Sequence, residues 1–202
     1  MKLTFCGAAR QVTGSMYLLE LDSGYKVLID CGLNYEKDVA RESNADFPFE
    51  PEEIDLVVLT HAHIDHSGNL PTLFAKGYSG QVMCTEPTAA LADILLSDSA
   101  NIEAKRVNKS RRGKKQVRRL YGHKQVFDVV ESFVTLDFNK VFHVNDELSL
   151  ELIPAGHILG AASVKLMVNE QGKTKTIGFT GDLGQQNDQL APKPQPLSGV
   201  NY

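Results

Sequence analysis

Thr60-His61-Ala62-His63-Ile64-Asp65-His66 is the stretch on which both the fold and the site depend. It places four side chains that commonly bind metals within six positions, directly after an apolar run. His61 and His63 point to the same side of an extended chain because side chains alternate there. Asp65 and His66 lie in the following turn and can face a second position in space, apart from the one that His61 and His63 face. One short segment can therefore hold two metal ions close together.

The sequence on either side of this stretch predicts a strand before it and a helix after it. Residues 54–60 are apolar enough for a buried strand, and residues 69–76 predict a short helix that ends before Gly77. Single histidines are usually surface residues or satisfied core residues. Three histidines and an aspartate together would be costly to bury unpaired, so we favour a metal site.

Three further candidate residues follow predicted strands. Asp30 ends a strand over residues 26–30, where it could orient a metal-bound histidine or cap the turn. His157 lies in a turn rich in glycine and alanine, and beside the first cluster it becomes a candidate third ligand. Asp182 follows a strand over residues 175–180, where it could bridge two metals or simply form a Gly-Asp turn.

The composition is that of an ordinary globular protein, with 202 residues, 42% hydrophobic and 23% charged. This length predicts one domain, or one and part of another. No apolar run is long enough to span a membrane, and the first residues indicate a strand rather than a signal peptide. Three cysteines without paired spacing favour a reducing cytoplasm. Cys31 is more simply explained as a small buried residue than as a ligand.

The charge is distributed unevenly along the chain. The basic segment, Lys105 to Lys124, contains ten Lys or Arg residues and no Asp or Glu, whereas the remaining residues carry a net charge of −14. Such a segment predicts a polyanionic partner. The alternative is an exposed helix and loop face with no partner.

The remaining pattern predicts strands, then alternating helices and strands, then strands again. Beyond those already given, strands are expected over residues 3–5, 16–21, 80–85, 138–144, 148–153 and 163–168. Helices are expected from Glu86 to about Ala100 and over Val126–Phe133, where Phe127, Val130 and Phe133 fit one face. The small residues over 7–15 indicate either close approach of a ligand or simple turns, and residues 185–202 indicate a loop. The whole pattern favours an α/β sandwich with its site along one edge.

Taken together, these segments resemble the metallo-β-lactamase superfamily. The resemblance rests on the ordered set of Asp30, the His-x-His-x-Asp-His motif, His157 and Asp182. The sequences of residues 7–15, 154–163 and 179–184 are similar to those of the β-CASP branch, which contains RNA- and DNA-processing nucleases. The resemblance covers nearly the whole chain and implies an αββα sandwich.

The resemblance also implies roles for the candidate residues. It assigns one metal to His61, His63 and His157 and the other to Asp65 and His66, with Asp182 bridging the two. Asp65 would also position the attacking hydroxide. Asp30 would orient the histidines without binding a metal itself. The implied reaction is a two-metal hydrolysis of RNA, in which a hydroxide between the metals attacks phosphorus. Ligation rich in histidine makes zinc the expected metal.

The family pattern continues beyond this sequence. It includes an inserted β-CASP domain and a return segment with further histidines, whereas the last histidine here is His157. Residues 1–202 are therefore expected to be the N-terminal part of a metallo-β-lactamase domain with an incomplete second metal site. Nuclease activity of this part alone is expected to be weak or absent. The alternatives are a thioesterase similar to glyoxalase II, a lactonase or a non-catalytic scaffold. A cytoplasmic protein that binds no membrane is expected, and an oligomer is compatible with the sequence.

Overall fold

Two β-sheets pack together in the computed structural model, which describes residues 1–36, 41–111, 119–186 and 189–202. The first sheet has six strands in chain order, namely β1 (Lys2–Phe5), β2 (Tyr17–Glu20), β3 (Lys26–Ile29), β4 (Leu56–Val58), β5 (Gln81–Cys84) and β6 (Phe133–Thr135). The second has four strands, each antiparallel to the next, namely β7 (Val141–His143), β8 (Leu148–Pro154), β9 (Ala162–Glu170) and β10 (Lys173–Phe179).

The direction of the strands in the first sheet determines where the site forms. Strands β1 to β3 are antiparallel, whereas β3 to β6 are parallel, with Leu28 opposite Val57 and Val57 opposite Val82. The carboxyl ends of parallel strands meet at one edge, and ligands usually bind there in open α/β sheets. The segments that follow β3, β4 and β5 therefore start from neighbouring points.

Alternating side chains of the first sheet bury two separate cores. Val27 and Ile29 face the second sheet, where they join a core with residues such as Leu150 and Val164. Leu28, between them, faces the helices and packs in the other core. This period of two is what a strand buried on both faces requires. Helices, first sheet and second sheet form three layers, which are the first three of the predicted αββα sandwich.

Four α-helices are described, namely α1 (Ile64–Ser67), α2 (Leu70–Ala75), α3 (Glu86–Arg111) and α4 (His123–Glu131). The expected short helix over residues 69–76 is confirmed as α2, and Gly77 follows it with a φ of 108°. No helix in the described part of the chain is both long and apolar enough to cross a membrane.

Helix α3 is longer than the sequence pattern predicted. It continues beyond Ala100 to Arg111 and so enters the basic segment, of which residues 112–118 lie outside the described residues. The apolar spacing weakens after Ala100, but the helix is fixed there by a buried charge. Glu103 is fully buried and forms ion pairs with Arg41 and Arg106. Charge pairing therefore adds to the apolar burial of Val107 on this part of the helix.

The prediction of a helix over Val126–Phe133 was wrong at its C-terminal end and in its buried face. Helix α4 ends at Glu131, and Phe133 begins β6, which pairs with β5. The buried residues are Val126 and Val129, whereas Phe127 is 62% exposed. Pairing with an available parallel strand, which no local pattern shows, overrode the helical spacing.

The other predicted strands are present with shifted ends. The run over residues 54–60 forms only the short strand β4, so His61 and His63 project from the loop after it. Residues 138–144 form an isolated bridge at Phe138 and then β7. The expected loop character of the tail agrees with its described residues, and Tyr202 accepts a backbone hydrogen bond from Gly178 in β10 at 2.9 Å.

Candidate metal centre

Four chain segments meet at the carboxyl edge of the first sheet. Asp30 follows β3, the His-x-His-x-Asp-His motif spans the loop after β4 and helix α1, His157 lies between β8 and β9, and Asp182 follows β10. A backbone hydrogen bond from Ala162 to Thr60, at 2.9 Å, joins the two sheets at this edge. The residues that the sequence singled out therefore converge from both sheets.

Three imidazole nitrogens form the centre of the cluster. His63 Nδ1 lies 3.2 Å from His61 Nε2 and 3.1 Å from His157 Nε2. Two nitrogens that bind the same tetrahedral zinc at its usual bond length are ~3.3 Å apart. The spacing of these three nitrogens therefore fits a single metal ion, and together with Asp182 they form a group whose ligand atoms all lie within 4.8 Å of one another.

The Asp182 carboxylate lies between this group and His66. Its Oδ2 atom is 3.5 Å from His157 Nε2 and 3.9 Å from His61 Nε2, whereas its Oδ1 atom is 3.3 Å from His66 Nε2. The two oxygens of one carboxylate thus face two different sets of imidazole nitrogens. This is the arrangement that a bridging carboxylate requires.

Thr60 fixes which nitrogen of His61 carries a proton. The Thr60 hydroxyl lies 2.9 Å from Asp30 Oδ2, which can only accept, so the hydroxyl donates there. The same hydroxyl is 3.0 Å from His61 Nδ1 and must accept from it. Neutral His61 therefore has its lone pair on Nε2, the atom that faces the cluster. Metal-binding histidines typically donate a hydrogen bond from the ring nitrogen that does not face the metal.

Asp30 holds His66 in the same manner. Its Oδ2 accepts from His66 Nδ1 at 2.7 Å, and its Oδ1 accepts from the Thr60 backbone N–H at 2.8 Å. Asp30 is 1% exposed and has a φ of 58°, an uncommon conformation that the three hydrogen bonds to its carboxylate maintain. His66 Nε2 is left facing Asp182.

The electrostatic environment favours neutral imidazoles at His61 and His63. Burial, followed by the neighbouring histidines, lowers the pKa of His61 to about 2. Burial and His157 also lower the pKa of His63. Burial lowers the pKa of His66 too, but the hydrogen bond and charge of Asp30, together with the charges of Asp182 and Asp65, outweigh it and raise that pKa overall. Since metals bind the neutral ring, His61 and His63 are prepared for ligation.

Asp65 is close to the site but is not part of the four-residue group. It is half-buried in α1, and its backbone oxygen accepts a hydrogen bond from Ser15 at 2.8 Å. Its charge acts to raise the pKa of both His63 and His66. The structure thus gathers His61, His63, His157 and Asp182, sets His66 against Asp182, and leaves Asp65 beside them.

Two features of the site were missed in the sequence. Thr60 directly precedes the first histidine, and a hydroxyl in that position is a signal that could have revealed its role. The second feature is a cavity of about 480 Å³ between β1 and β10, which opens beside His66 and Asp182 and has Phe5 and Phe179 in its lining. No local sequence pattern predicts this cavity, because it depends on how the two sheets pack.

Cys31 is fully buried in the core near the helices.

The similarity of the sequence to known proteins agrees with this geometry. A sequence model of the family described as the metallo-beta-lactamase superfamily matches residues 9–199. The chain belongs to this superfamily. The resemblance noted from the sequence motifs is confirmed at this level.

Curated relatives in the superfamily include proteins named for action on RNA or in transcription. Ribonuclease TTHA0252 of Thermus thermophilus is 38% identical over 202 residues, which cover 99% of this chain and 42% of that protein. Transcription termination factor FttA of Methanocaldococcus jannaschii is 33% identical over 192 residues, which cover 94% of this chain and 28% of that protein. This metallo-β-lactamase chain therefore spans less than half the length of these two relatives.

Solved structures support the fold independently. The subclass B3 metallo-beta-lactamase MEM-A1, from a soil metagenome library, aligns with a TM-score of 0.53 and 16% identity over 88% of this chain and 59% of that chain. A B3 metallo-beta-lactamase with an active-site glutamic acid aligns with a TM-score of 0.52 and 18% identity, over 96% of this chain and 63% of that one. The predicted metallo-β-lactamase fold is confirmed.

Proposed function

We propose that this metallo-β-lactamase domain is the metal-binding part of a hydrolase of the β-CASP type that cleaves RNA phosphodiester bonds with two divalent metal ions. The observation that carries the proposal is the Asp182 carboxylate, whose oxygens face His157 on one side and His66 on the other. The names of the relatives, a ribonuclease and a transcription termination factor, support RNA as the substrate. A cytoplasmic location is part of the same proposal.

The donor set supports zinc as the metal. In the proposal, His61, His63 and His157 hold the first ion, Asp65 and His66 hold the second, and Asp182 serves both. A bound divalent ion would act as a Lewis acid on a phosphoryl oxygen and lower the pKa of a water molecule. Imidazole nitrogens with carboxylate oxygens are a common zinc environment.

Two aspartates have different roles in the proposal. Asp65 would orient the attacking water, since it is half-buried and its charge acts on both His63 and His66. Asp30 does not touch the reacting atoms. It keeps His66 protonated on Nδ1 so that Nε2 remains free for a metal. Because only Asp65, His66 and the shared Asp182 serve the second ion, we expect RNA cleavage by these 202 residues alone to be weak.

The basic segment is the proposed contact with the RNA backbone. Lys105 and Lys109 are exposed on α3, whereas Arg106 pairs with Glu103 at 3.2 Å and Lys124 with Asp128 at 2.7 Å. Exposed lysines on one helix suit phosphate contacts that carry no sequence information. Paired cations would contribute less, because they would first have to leave their carboxylates.

The experiment compares the rates at which zinc-loaded protein hydrolyses different substrates. We expect slow cleavage of single-stranded RNA that stops when a chelator is added and when Asp182 is replaced by asparagine. His143→Ala, at an exposed histidine on the second sheet, is the matched control and should leave cleavage unchanged. Faster turnover of a thioester or lactone than of RNA would instead indicate a small-molecule hydrolase. Protein that binds no zinc, manganese or iron would contradict the proposal and favour a scaffold.

A further inference from the structure

The loop that carries His157 is held by a residue from a different layer. The loop runs from Ala155 to Ala161, and a backbone hydrogen bond from Ala155 N–H to the Ala161 oxygen, at 2.9 Å, closes it. A second backbone bond, from Ala161 to Ile158 at 3.0 Å, shapes its turn. These bonds define the form of the loop but do not by themselves fix where it lies relative to His61 and His63.

The backbone bond from Ala162 to Thr60 holds the C-terminal end of the loop, and Thr85 provides a second attachment, at Gly160. It lies between β5 and α3, is 2% exposed, and its hydroxyl donates to the Gly160 carbonyl at 2.7 Å. The same oxygen accepts from the Thr88 backbone N–H at 3.4 Å, as a residue preceding a helix commonly does. One hydroxyl thus joins the first turn of α3 to the His157 loop.

Gly160 is packed too closely against this turn for any other residue. Its φ is 80°, and a Cβ atom there would lie 2.5 Å from the Thr88 nitrogen and 2.7 Å from the Thr85 hydroxyl oxygen. Helix α3 and the loop are therefore in direct contact. Gly160 is only three positions from His157. A shift of the Gly160 carbonyl would therefore move the turn between the two residues, and the His157 imidazole with it.

We propose that Thr85 is a positioning residue for His157, whose hydroxyl holds the third imidazole at the distance that a shared metal requires. The inference rests on the proposed metal centre and deepens it. Thr85 does not itself bind the metal, and it acts only through the loop. Nothing in the local sequence near the histidines indicates this role, because Thr85 is 72 positions before His157.

The test measures zinc affinity of the metal-free chain by competition with a coloured chelator. Thr85→Val keeps the side-chain shape but removes the hydroxyl, and we expect affinity to fall about 10- to 100-fold, as for other residues that support metal ligands. Thr85→Ser keeps the hydroxyl and should remain within about twofold of the unmodified chain. The matched control is Thr72→Val, at a buried threonine whose hydroxyl has no partner among the described residues, and it should not change affinity.

A double-mutant cycle separates positioning from a general loss of stability. In a chain that already carries His157→Ala, the Thr85→Val substitution should have no further effect on zinc affinity. An equal loss in both backgrounds, or no loss in either, would overturn the positioning role. If His157→Ala alone leaves affinity unchanged, the metal centre itself fails, which is a distinguishable result. If circular dichroism shows that Thr85→Val does not fold, a tenfold loss of zinc affinity in the folded Thr85→Ser chain would overturn the proposal.

Discussion

Asp30 and His66, 36 positions apart in sequence, are joined by a hydrogen bond of 2.7 Å between Oδ2 and Nδ1 at the edge of the first sheet. Both residues are buried, so the bond is formed away from water. It leaves the second nitrogen of His66 facing the Asp182 carboxylate. The bond therefore connects the strand β3 to the metal centre without contributing a ligand.

Replacing Asp30 by asparagine should lower the pKa of His66. Burial already favours the neutral ring, and the hydrogen bond to Asp30, followed by the Asp30 charge, is the main opposing influence. The folded-state pKa of His66 lies above its ordinary value, so this pair stabilises the fold below that value and loses its effect as pH rises through the folded pKa. An NMR titration of the metal-free chain should show the His66 pKa below its ordinary value in the variant.

The same substitution should also reduce stability. Removal of one partner from a buried, charge-assisted hydrogen-bond network typically costs about 3 kcal/mol. Denaturant unfolding at pH 6 should show this loss for Asp30→Asn. The control is Asp137→Asn, at a carboxylate that is 72% exposed, where stability should change by less than about 0.5 kcal/mol. Equal effects of the two substitutions would argue against a special role for Asp30.

Gly184→Ala should disturb the site through the backbone. A Cβ atom at Gly184 would lie 1.6 Å from the Gly156 oxygen and 2.6 Å from the His157 nitrogen, so the loop must move. We expect a loss of about 2 kcal/mol or more in stability together with weaker zinc binding. Gly172→Ala is the control for zinc binding: a Cβ there meets nothing within 4 Å, so the φ of 73° should cost some stability while zinc binding stays unchanged. Unchanged zinc binding in Gly184→Ala would show that the loop tolerates the displacement.

The motif and the strands were predictable because each depends on a local pattern. A short apolar run predicted β3, and the density of histidines predicted the metal cluster. The partners that hold the cluster were not all predictable: Asp30 was a candidate, whereas Thr60 and Thr85 act through hydroxyl groups that have no periodicity. Phe133 was assigned to a helix because only the position of β5 makes it a strand.

The three cysteines should differ in reactivity toward an alkylating reagent. Burial raises the pKa of Cys84 to about 12 and also raises the pKa of fully buried Cys31, so neither forms appreciable thiolate at pH 8. Cys6 is only partly buried. Mass spectrometry of the folded protein should show modification first at Cys6, with Cys31 and Cys84 reacting only after unfolding. Rapid labelling of Cys31 would mean that the core beneath the site opens readily.

RNA binding should depend on salt through the exposed lysines of α3. If Lys105 and Lys109 each contact a phosphate, replacing both by alanine should reduce the magnitude of the slope of log affinity against log salt concentration by about 1.4 to 2. Lys140→Ala, at an exposed lysine just before β7, serves as the control. An unchanged slope in the double variant would place the RNA contact elsewhere on the protein.

Zinc titration of the metal-free chain, with and without His61→Ala, tests the metal centre most directly. His61 is fully buried, its Nε2 lies 3.2 Å from His63 Nδ1, and its neutral ring is prepared for ligation. We predict that the unmodified chain binds at least one zinc ion per molecule and that His61→Ala weakens this binding at least a hundredfold, by ~3 kcal/mol. A chain that binds no zinc, or that binds it equally well without His61, would contradict the account.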